Sequence, residues 1–122
     1  TGLDMTRRDL QQTLRQKGHP WCISKGFDAS APIAPIVPVA AAGNISQASI
    51  SLQVNGQTRQ SSHINCMIWN IAATIAAASR GWELQAGDLI FTGTPAGVGA
   101  VVQGDELVGS ISGLPEVRVR VV

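Results

Sequence analysis

The spacing of apolar residues changes along the chain, and each change marks an element. In "DMTRRDLQQTLRQKGHP", Asp4 to Pro20, Leu10 and Leu14 fall four apart among polar residues, Thr6 precedes the run, and Gly18 and Pro20 close it. This pattern predicts a short amphipathic helix over roughly Arg7 to Lys17, with Thr6 as its N-cap. The next segments, "WCISKGF" and "APIAPIVPVAAAG", hold no sustained helical period, and Pro32, Pro35 and Pro38 push the residues before them toward extended geometry. They read as a loop or an edge running over the surface of a sheet.

A period of two follows. Ile50, Leu52 and Val54 alternate with polar residues before Asn55-Gly56, a dipeptide suited to the positive φ values of a type I′ turn, so a β-hairpin is expected. In "NCMIWNIAATIAAASRGWEL" the period becomes helical again, through Ile68, Ile71, Ala72 and Ile75, with Gly81 where a left-handed cap would fall. The many alanines would let most of that helix pack closely against a sheet. A strand is expected at Leu89 to Thr92, then a glycine-rich loop to Gly99, a turn at Gly104-Asp105 and a strand from Glu106 to Ile111. In the closing "EVRVRVV", Val117, Val119 and Val121 share one face and Arg118 and Arg120 the other. Five or so strands with two helices, and no regular alternation of the two, predict an α+β fold that is mainly β.

Composition narrows the function classes. A chain of 122 residues that is 44% hydrophobic suits one compact unit. The net charge of +1, with nine scattered Lys and Arg, argues against a nucleic-acid partner. Cys22 and Cys66 make neither a disulfide framework nor a zinc site, which favours a reduced, cytoplasmic protein and leaves a single disulfide open. The prolines between Ala31 and Gly43 leave no run long enough to cross a bilayer, and no signal-peptide pattern is present. The chain opens on Thr1 rather than methionine and enters a motif within a few residues, so it is expected to continue something longer.

"GDLIFTGTPAGVG", Gly87 to Gly99, invites a phosphate-binding reading, which its chemistry contradicts. A P-loop needs GxxxxGK[ST], and no Lys or Arg lies in this stretch. The segment that follows is not helical, as a Rossmann fingerprint requires, and Thr94 is followed by Pro95 rather than forming a GxSxG elbow. Glycines that serve tight turns remain the structural alternative.

Ordered blocks resolve the choice. "LDMTRRDLQ" (Leu3 to Gln11), "PWCISKGFD" (Pro20 to Asp28), "VNGQTRQ" (Val54 to Gln60), "MIW" (Met67 to Trp69) and "GDLIFTGTPAGVG" resemble the fumarylacetoacetate hydrolase family, within it the fumarylpyruvate and acylpyruvate hydrolase branch. The blocks keep the family's order and spacing over nearly all of the chain. The resemblance implies a mixed β-sandwich roll, a homodimer, and a site for Mg²⁺ or Mn²⁺ held by three carboxylates. Of these, Asp4 matches one, and two glutamates and a catalytic histidine are expected upstream of Thr1, so residues 1–122 read as the C-terminal portion of one catalytic domain.

By the same resemblance, Lys25 is the active-site lysine that stabilises anionic oxygen, and Arg8 and Gln11 share the helix face that looks into the site. Thr94, with the backbone around Gly93, receives the carboxylate of the substrate. The implied reaction is metal-dependent hydrolysis of a carbon–carbon bond in a 2,4-dioxo acid, fumarylpyruvate or another acylpyruvate, to pyruvate and a carboxylic acid, a step of aromatic breakdown. An isomerase or decarboxylase acting on a hydroxymuconate-type diacid or on oxaloacetate is the alternative on the same fold. A non-catalytic fragment, leaving apolar faces uncovered, is the alternative of another class. His19 and His63 are expected at the surface, Asp88 and Asp105 in turns, and Trp21, Trp69 and Trp82 in the core or an interface.

Overall fold

A computed structural model describes all residues, Thr1–Val122. Its centre is one antiparallel sheet of four strands: β1 (Ser49–Val54), β2 (Gln57–His63), β3 (Glu106–Ile111) and β4 (Val117–Arg120), in the spatial order β2-β1-β3-β4. The hairpin forms as expected, because Asn55 and Gly56 adopt φ of 51° and 75°, the twist that joins β1 to β2 without splaying them. Across the sheet Ile50 meets Ile111, Leu52 meets Gly109 and Val54 meets Leu107, while Ser51 pairs with Ser110. Alternation therefore sends the apolar set to one face and a row of hydroxyls to the other.

The apolar face is covered by the start of the chain. Leu3, Ala34, Val54, Leu107 and Val117 form the buried cluster, with Met5, Leu52, Val101, Val119 and Val121 packed at its margin. The Leu3 and Met5 amides donate to the carbonyls of Pro32 and Ser30, and the Ala34 amide donates to Thr1, so the first residues run antiparallel to the proline-rich segment. That segment is thus paired along one side, and it also contains a single helical turn, α2 (Val39–Ala42), where only loop or edge was expected.

The first helix, α1 (Arg8–Gln16), matches its expected bounds. It ends with the Gly18 amide bonded to the Arg15 carbonyl and the His19 amide to the Leu14 carbonyl, a Schellman closure. Its start differs from expectation: Arg7 is the N-cap and no side chain caps it. The Thr6 hydroxyl is engaged elsewhere, as described below.

Between β2 and β3 the chain departs further. The helix α3 (Ile71–Ala78) forms, capped by Asn70 accepting from the Ala73 amide, but it buries none of its residues. It is apolar on nearly every side, which would suit burial, but it does not pack on the sheet, so the expected close packing is absent. Gly81 does not form its left-handed cap; the C-cap is Ser79 at φ −64°. Leu89 to Thr92 forms no strand and joins no sheet, and the four-stranded sheet ends at β2 and β4 instead. An apolar run becomes a strand only where a free edge lies alongside to take its backbone hydrogen bonds. Trp21, Trp69 and Trp82 are all exposed, so of the two expected placements, core or interface, the core is corrected.

Candidate active site

Alternation decides where Asp4 points. Leu3 is buried and Met5 packs beside the core, so in this extended segment Asp4, lying between them, projects the other way. It opens into a cleft of about 870 Å³ whose lining includes Asp4, Arg8, Gln11, Lys25, Gly93 and Thr94. The fold thus brings together every residue that the sequence nominates, from the first strand-like segment, α1, the loop after Trp21 and the glycine-rich loop.

Lys25 follows a turn of 3-10 helix, Cys22–Ser24. Ser24 anchors that turn: it is fully buried, and its hydroxyl donates to the Trp21 carbonyl at 2.5 Å. The Ser24 carbonyl receives the Arg7 amide at 2.9 Å, tying the turn to the start of α1. These constraints deliver the Lys25 ammonium to Asp4, with Nζ 2.5 Å from Oδ1, and to Thr6, whose Oγ1 accepts at 2.9 Å. The threonine expected to cap the helix is therefore a partner of the lysine. An ammonium has three donors, so two partners leave one for a third oxygen.

Arg8 and Gln11 do share a face, and they bond to each other, Nη1 to Oε1 at 2.6 Å. Arg7 is directed instead over the Phe27 ring, 4.5 Å from its centroid. Thr94 is exposed to the cleft. His19 and His63 are at the surface, and Cys22 and Cys66 are free. Asp88 and Asp105 serve turns: Asp88 Oδ2 accepts the Gln85 amide and Asp105 Oδ2 the Val102 amide. That backbone bond, followed by one from the Asn55 side chain, holds the Asp105 carboxyl below its ordinary range.

The donor chemistry at Asp4 suits a hard divalent cation as one ligand of a set: Oδ1 is paired to Lys25, and the other carboxylate oxygen completes a partly exposed group. No group of three or more His, Cys, Asp or Glu side chains gathers around it or elsewhere in the chain.

The sequence profile described as fumarylacetoacetate (FAA) hydrolase C-terminal matches residues 1–122. The chain is 48% identical over 120 residues to fumarylpyruvate hydrolase of a Ralstonia species, covering 98% of this chain and 62% of that protein. It is 40% identical over 119 residues to mitochondrial oxaloacetate tautomerase FAHD1 of Pongo abelii, covering 98% and 54%. The crystal structure of fumarylpyruvate hydrolase from Pseudomonas aeruginosa in complex with Mn²⁺ and pyruvate superposes with a TM-score of 0.94 at 55% identity, covering 99% of this chain and 52% of that one. The chain belongs to the fumarylacetoacetate hydrolase family. It spans between about half and two thirds of the length of these relatives.

Proposed function

We propose that these residues form the C-terminal portion of a catalytic domain that hydrolyses a 2,4-dioxo acid, fumarylpyruvate or another acylpyruvate, to pyruvate and a carboxylic acid. The observation that carries the reading is the convergence of Asp4, Lys25, Arg8, Gln11 and Thr94 on one cleft. The likeness to a fumarylpyruvate hydrolase seen with Mn²⁺ and pyruvate supports it.

In this reading Asp4 contributes one ligand to Mg²⁺ or Mn²⁺. A divalent cation held there supplies Lewis acidity toward the oxygens of an α-keto acid. Thr94 and the backbone at Gly93 receive the substrate carboxylate and fix its register, because aligned reactants need less reorganisation to react. Water, giving its proton to the histidine expected upstream, would add to the distal carbonyl; the carbon–carbon bond breaks, its electron pair remains on the pyruvate half as an enolate, and protonation of that carbon completes pyruvate. Lys25 offers its remaining donor to that negative charge, and its bonds to Asp4 and Thr6 hold it ready before the charge develops. Arg8 and Gln11, bonded to each other, act as one polar unit on the substrate. The proposal extends to a homodimer in a cytoplasmic setting, without nucleic acid as a partner. The longest helices of the chain fall short of crossing a membrane.

The 40% identical oxaloacetate tautomerase favours a second reading on the same residues, in which the enolate is reprotonated without bond cleavage. One experiment separates the two. Loss of fumarylpyruvate absorbance is followed with Mg²⁺ or Mn²⁺, with EDTA, and with Asp4→Ala, beside a parallel assay of oxaloacetate enol-to-keto conversion. Metal-dependent loss of fumarylpyruvate that disappears in Asp4→Ala supports the hydrolase; activity confined to oxaloacetate overturns it in favour of the tautomerase.

A further inference from the structure

The block Val54–Gln60 stands out in the sequence, yet the reaction above uses none of its side chains. Its last residue lies against the loop that carries Thr94. In the β1–β2 ladder Leu52 faces Gln60 and the next residue, Gln53, faces Thr58, so Arg59 is the extra residue of a β-bulge. The glycine loop seats on that bulge. A Cβ on Gly97, whose φ is +101°, would lie 2.0 Å from the Arg59 carbonyl oxygen, a separation only glycine avoids.

Gln60 adds a directed bond. Its side chain is buried, 8% exposed, and Nε2 donates to the Pro95 carbonyl at 3.1 Å. A carbonyl only accepts, so the nitrogen is the end of the amide that must face it. Burying a primary amide is unfavourable unless it is paired, and this bond supplies the pairing. The loop has little else to hold it: no backbone hydrogen bond involves any residue from Leu89 to Val101. Gln60 provides the side-chain hydrogen bond to this stretch, one residue beyond Thr94.

We infer that Gln60 is a positioning residue: together with the Gly97 seat on the Arg59 bulge, it pins Pro95 and thereby sets where Thr94 meets the carboxylate of a 2-oxo acid. The inference rests on the proposed role of Thr94. It also explains why a buried strand position of β2 carries an amide where an aliphatic side chain would satisfy packing alone.

The test is a double-mutant cycle in the full chain loaded with Mn²⁺. Gln60→Met keeps the volume and removes the donor; Thr94→Ala removes the group it positions. Gln60→Met is expected to raise KM for the acylpyruvate, and the Kd for pyruvate measured by calorimetry, roughly ten-fold, the usual scale for one lost hydrogen bond. The change in kcat should stay within about two-fold, since charge stabilisation at Lys25 is untouched. In the Thr94→Ala background the same substitution should change neither constant further, because the two residues act through one contact. Equal effects of Gln60→Met in both backgrounds, or an unchanged pyruvate Kd, overturn the inference. The pyruvate arm needs no turnover, so a chain that binds pyruvate and cleaves no acylpyruvate defeats the hydrolase reading while the cycle still decides the role of Gln60. A ligand-free arm is independent of both: the Gln60 side-chain amide protons should exchange slowly with solvent in a ¹⁵N-resolved spectrum, and exchange at the rate of a free amide overturns the pin.

Discussion

The sheet and the stretch from Ile64 to Val101 are both rich in apolar residues, and they treat them in opposite ways. Leu107 in β3 is 2% exposed and Val54 in β1 is 5%, whereas Ile68 is 99% exposed and Trp82 72%. What separates them is bonding to a distant segment: the backbone bonds of α3 and of Trp82 close on neighbouring turns. Each sheet strand finds a neighbour in register, so its alternate side chains are all delivered to one face. Between Leu89 and Val101 no backbone group pairs with another backbone group, and no ladder directs alternate side chains toward a common core. Apolar content alone does not bury a segment; a partner with matching geometry does. The candidate site spans this divide, for Asp4 and Lys25 sit on well-bonded segments while Thr94 stands on the unpaired side.

The contrast can be attacked from either side. The largest effect is expected at the well-bonded end of the site: Asp4→Ala should lower metal-dependent turnover on the order of a thousand-fold, the scale for removing a group that organises charge in a transition state. Steady-state assays with Mn²⁺ check this, and near-normal kcat would remove Asp4 from the machinery.

Stability should divide along the same line. Leu107→Ala, in the core cluster, is expected to cost about 2–5 kcal/mol, whereas Ile75→Ala in α3 should cost less than about 1 kcal/mol. Urea unfolding of the two variants measures the difference, and similar midpoints would erase the distinction between sheet and α3.

A middle-sized effect is expected where the regions touch. Gly97→Ala drives a methyl into the Arg59 carbonyl, so the loop must shift. A displacement of this kind at a substrate-positioning loop costs on the order of a hundred-fold in kcat/KM. The sheet has its own ladder, so the urea midpoint should barely move; a large loss of stability would mean that loop and sheet fold as one.

The smallest effect concerns pH. The Asp105 carboxyl is held below its ordinary value of 3.8 by the Val102 amide, then by the Asn55 side chain. A carboxyl depressed in the folded state stabilises the fold above its unfolded pKa, and that contribution fades as pH falls through the lower folded value. Asp105→Asn should therefore flatten a slight acid-side loss of thermal stability below about pH 4, with no change near neutrality. An unchanged acid limb in melting curves would dismiss the role.

Much of this architecture is written in local pattern. The hairpin at Asn55-Gly56, the closure of α1 near Gly18, and the strands at Glu106–Ile111 and Val117–Arg120 follow from turn chemistry and period, because neighbours along the chain enforce them. The nominated residues Asp4, Arg8, Gln11, Lys25, Gly93 and Thr94 were legible through their ordered motifs, and all of them reach the same cleft. Thr6 departs from its local signature, since a threonine before a helix looks the same in sequence whether it caps the helix or binds a distant lysine. The apolar run at Leu89–Thr92 and the alanine-rich α3 carry sound local signals too, yet strand pairing and helix burial depend on what lies alongside. Gln60 and Gly97 belong to the same category: their sequence contexts suggest a strand and a turn, and only the approach of the loop to the Arg59 bulge gives them a joint task. Local periodicity, caps and turns thus determined the elements and the chemical alphabet of the site. The tertiary structure decided partnership, because hydrogen bonds and steric contacts between segments far apart in sequence leave no periodic trace in either one.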